Sequence, residues 1–128
     1  MMSDQARPIV YLKHACPYCL KLRILLSEAG LADRFDTVVF EDGDETHQAL
    51  RRRMSEAGQE PSFPAVEFET GTLVTGADEL IDRIAGDAGI DPAALPLLRY
   101  YETGLFGSHV AKVRELRQLR QQVAASTT

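Results

Sequence analysis

Two cysteines separated by two residues are the feature of this chain best suited to chemistry. Cys16 and Cys19 enclose Pro17 and Tyr18, directly after an apolar stretch and at the start of a helix-like one. Unpaired backbone N–H groups and the positive end of the helix dipole stabilise a thiolate at such a position. Because the thiolate is the reactive form, the pair is predicted to be a redox site with Cys16 exposed at the helix start.

Half of a zinc site is the alternative for this pair. The chain has no second cysteine pair, and its only histidines are His14, His47 and His109. A structural zinc site needs four ligands and usually draws them from two such pairs, so the redox interpretation is favoured and no metal is expected.

Composition bounds the class of protein. The chain has 128 residues, 45% of them hydrophobic and 26% charged, which suits one domain with one core. Two cysteines are too few for a disulfide-stapled secreted scaffold, and no apolar run has the length of a signal core or a membrane span. We therefore expect a cytoplasmic protein that does not bind membranes.

Charge is unevenly distributed along the chain. The net charge is −5, but residues 1–92 contain nine Lys and Arg against 17 Asp and Glu, whereas residues 93–128 contain five against two. An acidic main body would repel phosphates, so nucleic acid is not an expected partner.

The order of predicted elements is β-α-β-α-β-β-α. Short apolar or β-branched runs indicate the strands, and apolar residues at spacings of three and four indicate the helices. The predicted elements are Ile9–Lys13, Pro17–Ala29, Phe35–Phe40, a helix capped by Asp44 that ends near Ala57, Ala65–Phe68, Leu73–Val74 and Ala77–Ala85. A right-handed β-α-β crossover followed by a hairpin gives one mixed sheet with flanking helices. The helix after the first strand then starts at the sheet edge where active residues gather in open α/β folds.

A helical extension is predicted at residues 92–123, after a domain at residues 8–89. Two helices are expected, Leu97–Tyr101 and His109–Val123, divided by Gly104 and Gly107. The second carries an apolar stripe, which consists of Val110, Val113, Leu116, Leu119 and Val123. We expect this stripe to be buried, against the protein's own domain or, as the alternative, against a second copy in a homodimer or another protein.

Between about Ile9 and Ala85 the chain resembles the glutaredoxin family, and through the thioredoxin fold also the N-terminal domain of glutathione S-transferases. Four blocks carry this resemblance in order: Lys13; Cys16-Pro17-Tyr18-Cys19; Ser62-Phe63-Pro64; and Thr75-Gly76-Ala77-Asp78-Glu79-Leu80. It implies a thioredoxin-like α/β fold of glutaredoxin type, with a four-stranded mixed sheet.

The resemblance also implies an activity. Cys16 would be the nucleophile and Cys19 the resolving thiol of a glutathione-dependent thiol–disulfide oxidoreductase. Glutathione would be the co-substrate, and no metal or tightly bound prosthetic group would be needed. The partners would be glutathionylated or disulfide-containing proteins. The alternatives are a glutathione S-transferase-like activity and an adaptor that binds glutathione or a partner.

Glutathione-binding residues follow from the same resemblance. Pro64 would be cis, so that the backbone of Phe63 pairs with the cysteinyl part of glutathione. The remaining contacts would come from Lys13, Tyr18, Gln59, Ala77 and Asp78. Asp78 would accept from the γ-glutamyl ammonium, Lys13 and Gln59 would face the glycyl carboxylate, and Tyr18 would line the groove.

Overall fold

A computed structural model describes residues 7–126 of the chain. Residues 1–6, where a signal core was not expected, lie outside the described part. Within residues 7–126, four strands form one sheet: β1 (Ile9–Lys13), β2 (Asp36–Phe40), β3 (Ala65–Glu69) and β4 (Thr72–Thr75). Their order is β2-β1-β3-β4, with β1 and β2 parallel and the other two pairs antiparallel. The predicted thioredoxin-like mixed sheet is confirmed.

The described part of the chain also contains five α-helices: α1 (Pro17–Glu28), α2 (Glu45–Glu56), α3 (Ala77–Asp87), α4 (Pro96–Tyr100) and α5 (Phe106–Ser126). Single 3₁₀ turns lie at Ala32–Arg34 and Pro92–Ala94. Asp44 caps α2 as predicted, because its carboxylate accepts from the N–H of His47 at 2.8 Å.

The main core lies between the sheet and the helices α1 and α3. Leu22, Leu25 and Leu26 of α1 are buried there, as their helical spacing predicts, whereas Leu20 lies on the solvent side. Leu98 of α4 is fully buried in the same core. The start of the extension is thus packed with the sheet domain.

The extension differs from its prediction in being helical without a break. A π turn (Tyr101–Leu105) joins α4 to α5, so Gly104 and Gly107 lie within helical backbone and the predicted division is wrong. A glycine costs a helix only about 1 kcal/mol. The buried ring of Tyr101, packed edge-on against Phe106, stabilises this junction.

The C-terminal half of the apolar stripe is not buried within the chain. Val110 and Val113 are half-buried, whereas Leu116, Leu119 and Val123 are exposed by 47%, 49% and 62%. The sheet domain therefore covers only the first part of the stripe, because the second half of α5 extends beyond that domain.

The carboxylate of Glu28 attaches the extension to α1. It accepts from the backbone N–H groups of Leu97 at 2.7 Å and Leu98 at 2.8 Å. These are free N–H groups of the first turn of α4, so a side chain from α1 acts as the cap that α4 lacks locally.

Candidate functional site

Cys16 lies where β1 gives way to α1, and it is the N-cap residue of that helix. Its Sγ accepts from the backbone N–H of Cys19, with 3.4 Å between N and Sγ. The preceding residue, Ala15, has φ of 58°, a left-handed conformation that is costly for a residue with a Cβ. The turn thus holds Cys16 at the helix N-terminus at the expense of local backbone strain.

The thiol of Cys16 is acidic. A hydrogen bond from the Cys19 side chain is the largest cause, and the backbone N–H groups of Cys19 and Tyr18 and the charge of Lys13 act in the same direction. Burial opposes them, but together they lower the pKa of Cys16 from 9.0 to about 6. A thiol with this pKa is mostly thiolate at neutral pH, which is the state a nucleophile requires.

Cys19 has the opposite character. It is 2% exposed, and its Sγ accepts from the backbone N–H of Lys13 at 3.2 Å. The hydrogen bond to Cys16, burial, and the negative charge on Cys16 all raise the pKa of Cys19. Both cysteines are free thiols in this structure, so the pair consists of a thiolate and a neutral, buried thiol.

Two basic residues near the thiols, Lys13 and His14, each lie close to a carboxylate. Lys13 Nζ lies 3.0 Å from Oδ1 of Asp42, and Nδ1 of His14 lies 2.9 Å from Oε2 of Glu41. The ammonium of Lys13 lowers the pKa of Asp42. Lys13 is thus held near Cys16, but a carboxylate already partly neutralises it.

The peptide bond between Phe63 and Pro64 is cis, as the resemblance implied. The ring of Phe63 packs on Phe40 and His47, with centroid distances of 4.9 and 5.4 Å. Nδ1 of His47 accepts from the N–H of Gly43 at 2.8 Å, and burial lowers the pKa of this imidazole. A neutral aromatic cluster therefore holds the loop that carries Phe63.

One cavity brings several of the predicted glutathione-binding residues together with the nucleophile. Cys16, Lys13, Tyr18 and Phe63 all line it. Pro64 lies next to this group in the chain and is fully buried. These residues form the geometric core of the candidate site.

Gln59 lies elsewhere. Its Nε2 donates to the backbone carbonyl of Leu73 at 3.0 Å, and the cavity that it lines contains neither cysteine. Gln59 was expected to face the glycyl carboxylate of glutathione; the structure places its amide against β4, apart from the cavity that Cys16 and Phe63 line.

Ala77 and Asp78 begin α3, and Asp78 has a partner already. Oδ1 of Asp78 lies 2.5 Å from Nζ of Lys21, although the Asp78 side chain is otherwise largely exposed. Gly76, the N-cap residue, provides no side-chain cap, so the first N–H groups of α3 stay open to an anion. A ligand ammonium at Asp78 would have to share its carboxylate with Lys21.

Sequence reasoning missed Lys21, which is buried although it carries a charge. Its Nζ also lies 3.3 Å from Glu102 and 4.6 Å from the ring centre of Phe106. Burial alone would lower the pKa of Lys21, because it disfavours the charged form. The hydrogen bonds and charges of Asp78 and Glu102 together have the larger effect, so the pKa of Lys21 is raised. In the sequence, the signal for this buried charge is the position of Lys21 between two leucines of α1.

Residues of α5 were also missed as part of the site. Arg117 lines the cavity that holds Cys16, Tyr18 and Phe63, and His109 lines a second cavity with both cysteines. The basic side of α5 was visible in the sequence, but nothing local indicated that it would lie beside the thiols.

Residues 15–86 match the model of the glutathione S-transferase N-terminal domain family. The chain belongs to this family. Its shared fold with glutaredoxins explains why the motif blocks resemble both. No curated protein matches the chain.

A similar solved structure is glutathione transferase Omega 2S from Trametes versicolor, crystallised in complex with 2,4-dihydroxybenzophenone. The two chains are 14% identical, with a TM-score of 0.47 over 90% of this chain. This chain spans about half (48%) of the length of that protein.

Within residues 7–126 no group of three or more His, Cys, Asp or Glu side chains is arranged to hold a metal ion. No helix among the same residues is both long and apolar enough to cross a membrane.

Proposed function

We propose that this protein is a glutathione-dependent thiol–disulfide oxidoreductase that reduces glutathione mixed disulfides or protein disulfides through Cys16. The single observation that supports this most is the asymmetry of the thiols. Cys16 has a pKa of about 6 at a helix N-terminus, and Cys19 is buried with a raised pKa. A thiolate beside a protonated thiol is the arrangement that attack and resolution require.

In the first step the Cys16 thiolate attacks the glutathione sulfur of a mixed disulfide. The Cys16–glutathione disulfide forms, the original disulfide breaks, and the substrate leaves as a thiolate that takes a proton from water. The substrate is reduced and Cys16 is oxidised. A second glutathione thiolate can then attack this intermediate, which releases oxidised glutathione and restores Cys16.

Cys19 provides the second way to resolve the intermediate. The hydrogen bond to Cys16 and the negative charge on Cys16 both raise the pKa of Cys19. Both effects disappear once Cys16 is bonded to glutathione. Cys19 then loses its proton more readily, attacks Cys16 and expels glutathione as a thiolate. The Cys16–Cys19 disulfide is later reduced by two further glutathiones.

The cavity around Cys16 supports glutathione as the co-substrate. In this proposal Lys13, Tyr18 and the Phe63–Pro64 segment hold glutathione beside the thiolate. The open N–H groups at Ala77 and Asp78 donate to its α-carboxylate at the N-terminus of α3.

Turnover of a small glutathione mixed disulfide, coupled to glutathione reductase, tests the proposal. Cys16→Ser should abolish turnover, and Cys19→Ser, the matched control with the same atom exchanged, should retain it through the glutathione route. Retained turnover in Cys16→Ser would overturn the proposal.

A glutathione S-transferase-like activity is the second candidate, supported by the family and by one feature of the site. Val110 and Val113 of α5 form an apolar wall next to Cys16 and Tyr18. Such a wall suits an apolar electrophile. Conjugation of glutathione to an aryl halide, without turnover of the mixed disulfide, would favour this candidate.

A further inference from the structure

The helix α5 lies along the mouth of the thiol cavity. Val113, Arg114 and Arg117 line one cavity with Cys16 and Tyr18. Arg117 and Arg120 line a neighbouring one that also contains Lys13 and His14. Arg117 also reaches the Phe63 side of the site, so it lines all three adjoining cavities. We call Arg114, Arg117 and Arg120 the arginine face.

The charge of these cavities is opposite to that of the whole chain. Five of the side chains that line them are Lys or Arg, whereas only two, Asp42 and Glu60, carry carboxylates. The chain as a whole has a net charge of −5. Positive charge is therefore concentrated at the thiol, where it attracts anionic groups.

The guanidinium groups of the arginine face are open to a ligand. Among residues 7–126, none of these three guanidinium groups forms an ion pair with a carboxylate oxygen within 4.0 Å. The charge of Arg117 nevertheless helps to lower the pKa of Asp42. Asp42 has Lys13 as its close partner, and on the same helix Lys112 pairs with Glu115 at 3.8 Å. Asp42 and Glu115 thus each pair with a lysine and not with the arginine face.

We propose that the arginine face selects substrates whose reactive cysteine is flanked by acidic residues, so that an acidic polypeptide segment lies along α5 while its disulfide reaches Cys16. This inference rests on the proposed oxidoreductase function. Arginine suits the role because its planar guanidinium binds carboxylates in a bidentate manner. The half-buried Val113 and the exposed Leu116 lie in the same groove and provide apolar contacts for a peptide.

The arginine face takes no part in electron or proton transfer. Thiol–disulfide exchange still takes place at Cys16, and the arginines only bind and orient the polypeptide. The groups that lower the pKa of Cys16 most are Cys19, Tyr18 and Lys13, all outside α5. An arginine variant should therefore change substrate preference and leave the thiolate titration in place.

Two glutathionylated peptides of equal length test this, one with Asp and one with Asn on both sides of the cysteine. The wild-type chain should reduce the Asp peptide with a kcat/KM about fivefold higher, the size expected of an exposed charge pair. Arg117→Gln should remove this preference, and Arg117→Glu should invert it. Arg34→Gln is the matched control, because Arg34 is exposed at the opposite end of the sheet.

Salt gives a second readout, since added salt screens exposed charges and should reduce the preference of the wild-type chain. Equal kcat/KM for both peptides, or a preference that Arg117→Gln leaves unchanged, would overturn the arginine-face proposal. Cys16-dependent turnover of the Asn peptide would show in that case that the oxidoreductase proposal still stands. Absence of turnover of both peptides and of the small mixed disulfide would overturn both proposals.

Discussion

The hydroxyl of Tyr101 lies 2.6 Å from Nδ1 of His109, eight residues further along the extension. The same hydroxyl is 3.5 Å from the backbone carbonyl of Pro17, the first residue of α1. Burial, with the negative charge on Cys16 as a further cause, raises the pKa of Tyr101. One buried phenol thus connects the extension with the helix that carries the thiols.

Removal of this hydroxyl should destabilise the fold. Tyr101→Phe deletes a buried hydrogen-bonding group and leaves Nδ1 of His109 without it, so we expect the free energy of unfolding to fall by about 1 kcal/mol. Urea unfolding measures this. Tyr100→Phe is the control, because Tyr100 is 66% exposed. Equal effects of both variants would contradict the role given to Tyr101.

The acidity of Cys16 should depend more on Cys19 than on Lys13. The Cys19 side chain is the largest cause of the lowered pKa, and the charge of Lys13 is the smallest of its main causes. We expect Cys19→Ala to raise the pKa of Cys16 more than Lys13→Met does. Titration of the thiolate by its ultraviolet absorbance gives both values. A larger rise in Lys13→Met would mean that the ammonium dominates.

Stability should depend on pH through the same thiol. The pKa of Cys16 is about 6 in the folded chain and lies near its ordinary value of 9.0 when unfolded. A lowered pKa stabilises the folded state fully above the unfolded value, and this contribution is lost as pH falls towards the folded value. The stability difference between the reduced wild type and Cys16→Ser should therefore grow between pH 6 and 9.0. A difference that is constant over this range would refute a thiolate in the folded state.

The extension should unfold together with the sheet domain. Leu98 is fully buried in the main core, whereas its neighbour Leu97 is 56% exposed. Leu98→Ala should lower the free energy of unfolding by about 2–5 kcal/mol, and Leu97→Ala should change it by no more than about 0.5 kcal/mol. Thermal melting should show a single transition in both. Two transitions would support residues 8–89 and 92–123 as separately folding units.

Deletion of residues 115–128 should leave the thermal midpoint unchanged, because every described residue beyond Arg114 is exposed. Light scattering of the full and shortened chains gives their masses. A halved mass together with a lower midpoint would instead show that a second subunit covers Leu116, Leu119 and Val123. Deletion of residues 90–128, which removes Leu98 from the core, serves as the destabilised reference.

Local signals predicted the sheet domain well. Strand and helix limits differ from their predictions by at most two residues, because capping residues and apolar spacing agree with the packing of the core. At α2 the N-cap residue Asp44 marks the start in both the sequence and the structure. The position of Cys16 at the helix N-terminus followed from the same kind of signal.

Contacts distant in sequence explain what could not be predicted. The partner of Asp78 is Lys21, 57 residues away, and that of Gln59 is the carbonyl of Leu73 on another element. No spacing rule connects such pairs. The unbroken path of the helix through Gly104 depends likewise on the packing of Tyr101, which outweighs the weak local preference against glycine.

The burial of Leu98 has a consequence for how the chain acquires its structure during synthesis. Residues 9–87 contain the four strands and the first three α-helices described above, yet the core that they enclose is incomplete until Leu98 is present. On a translating ribosome the sheet domain would therefore stay incompletely packed until α4 has left the exit tunnel. Its last core contacts form only when α4 closes over α1, so the thiol pair is fully supported only after Leu98 has been synthesised.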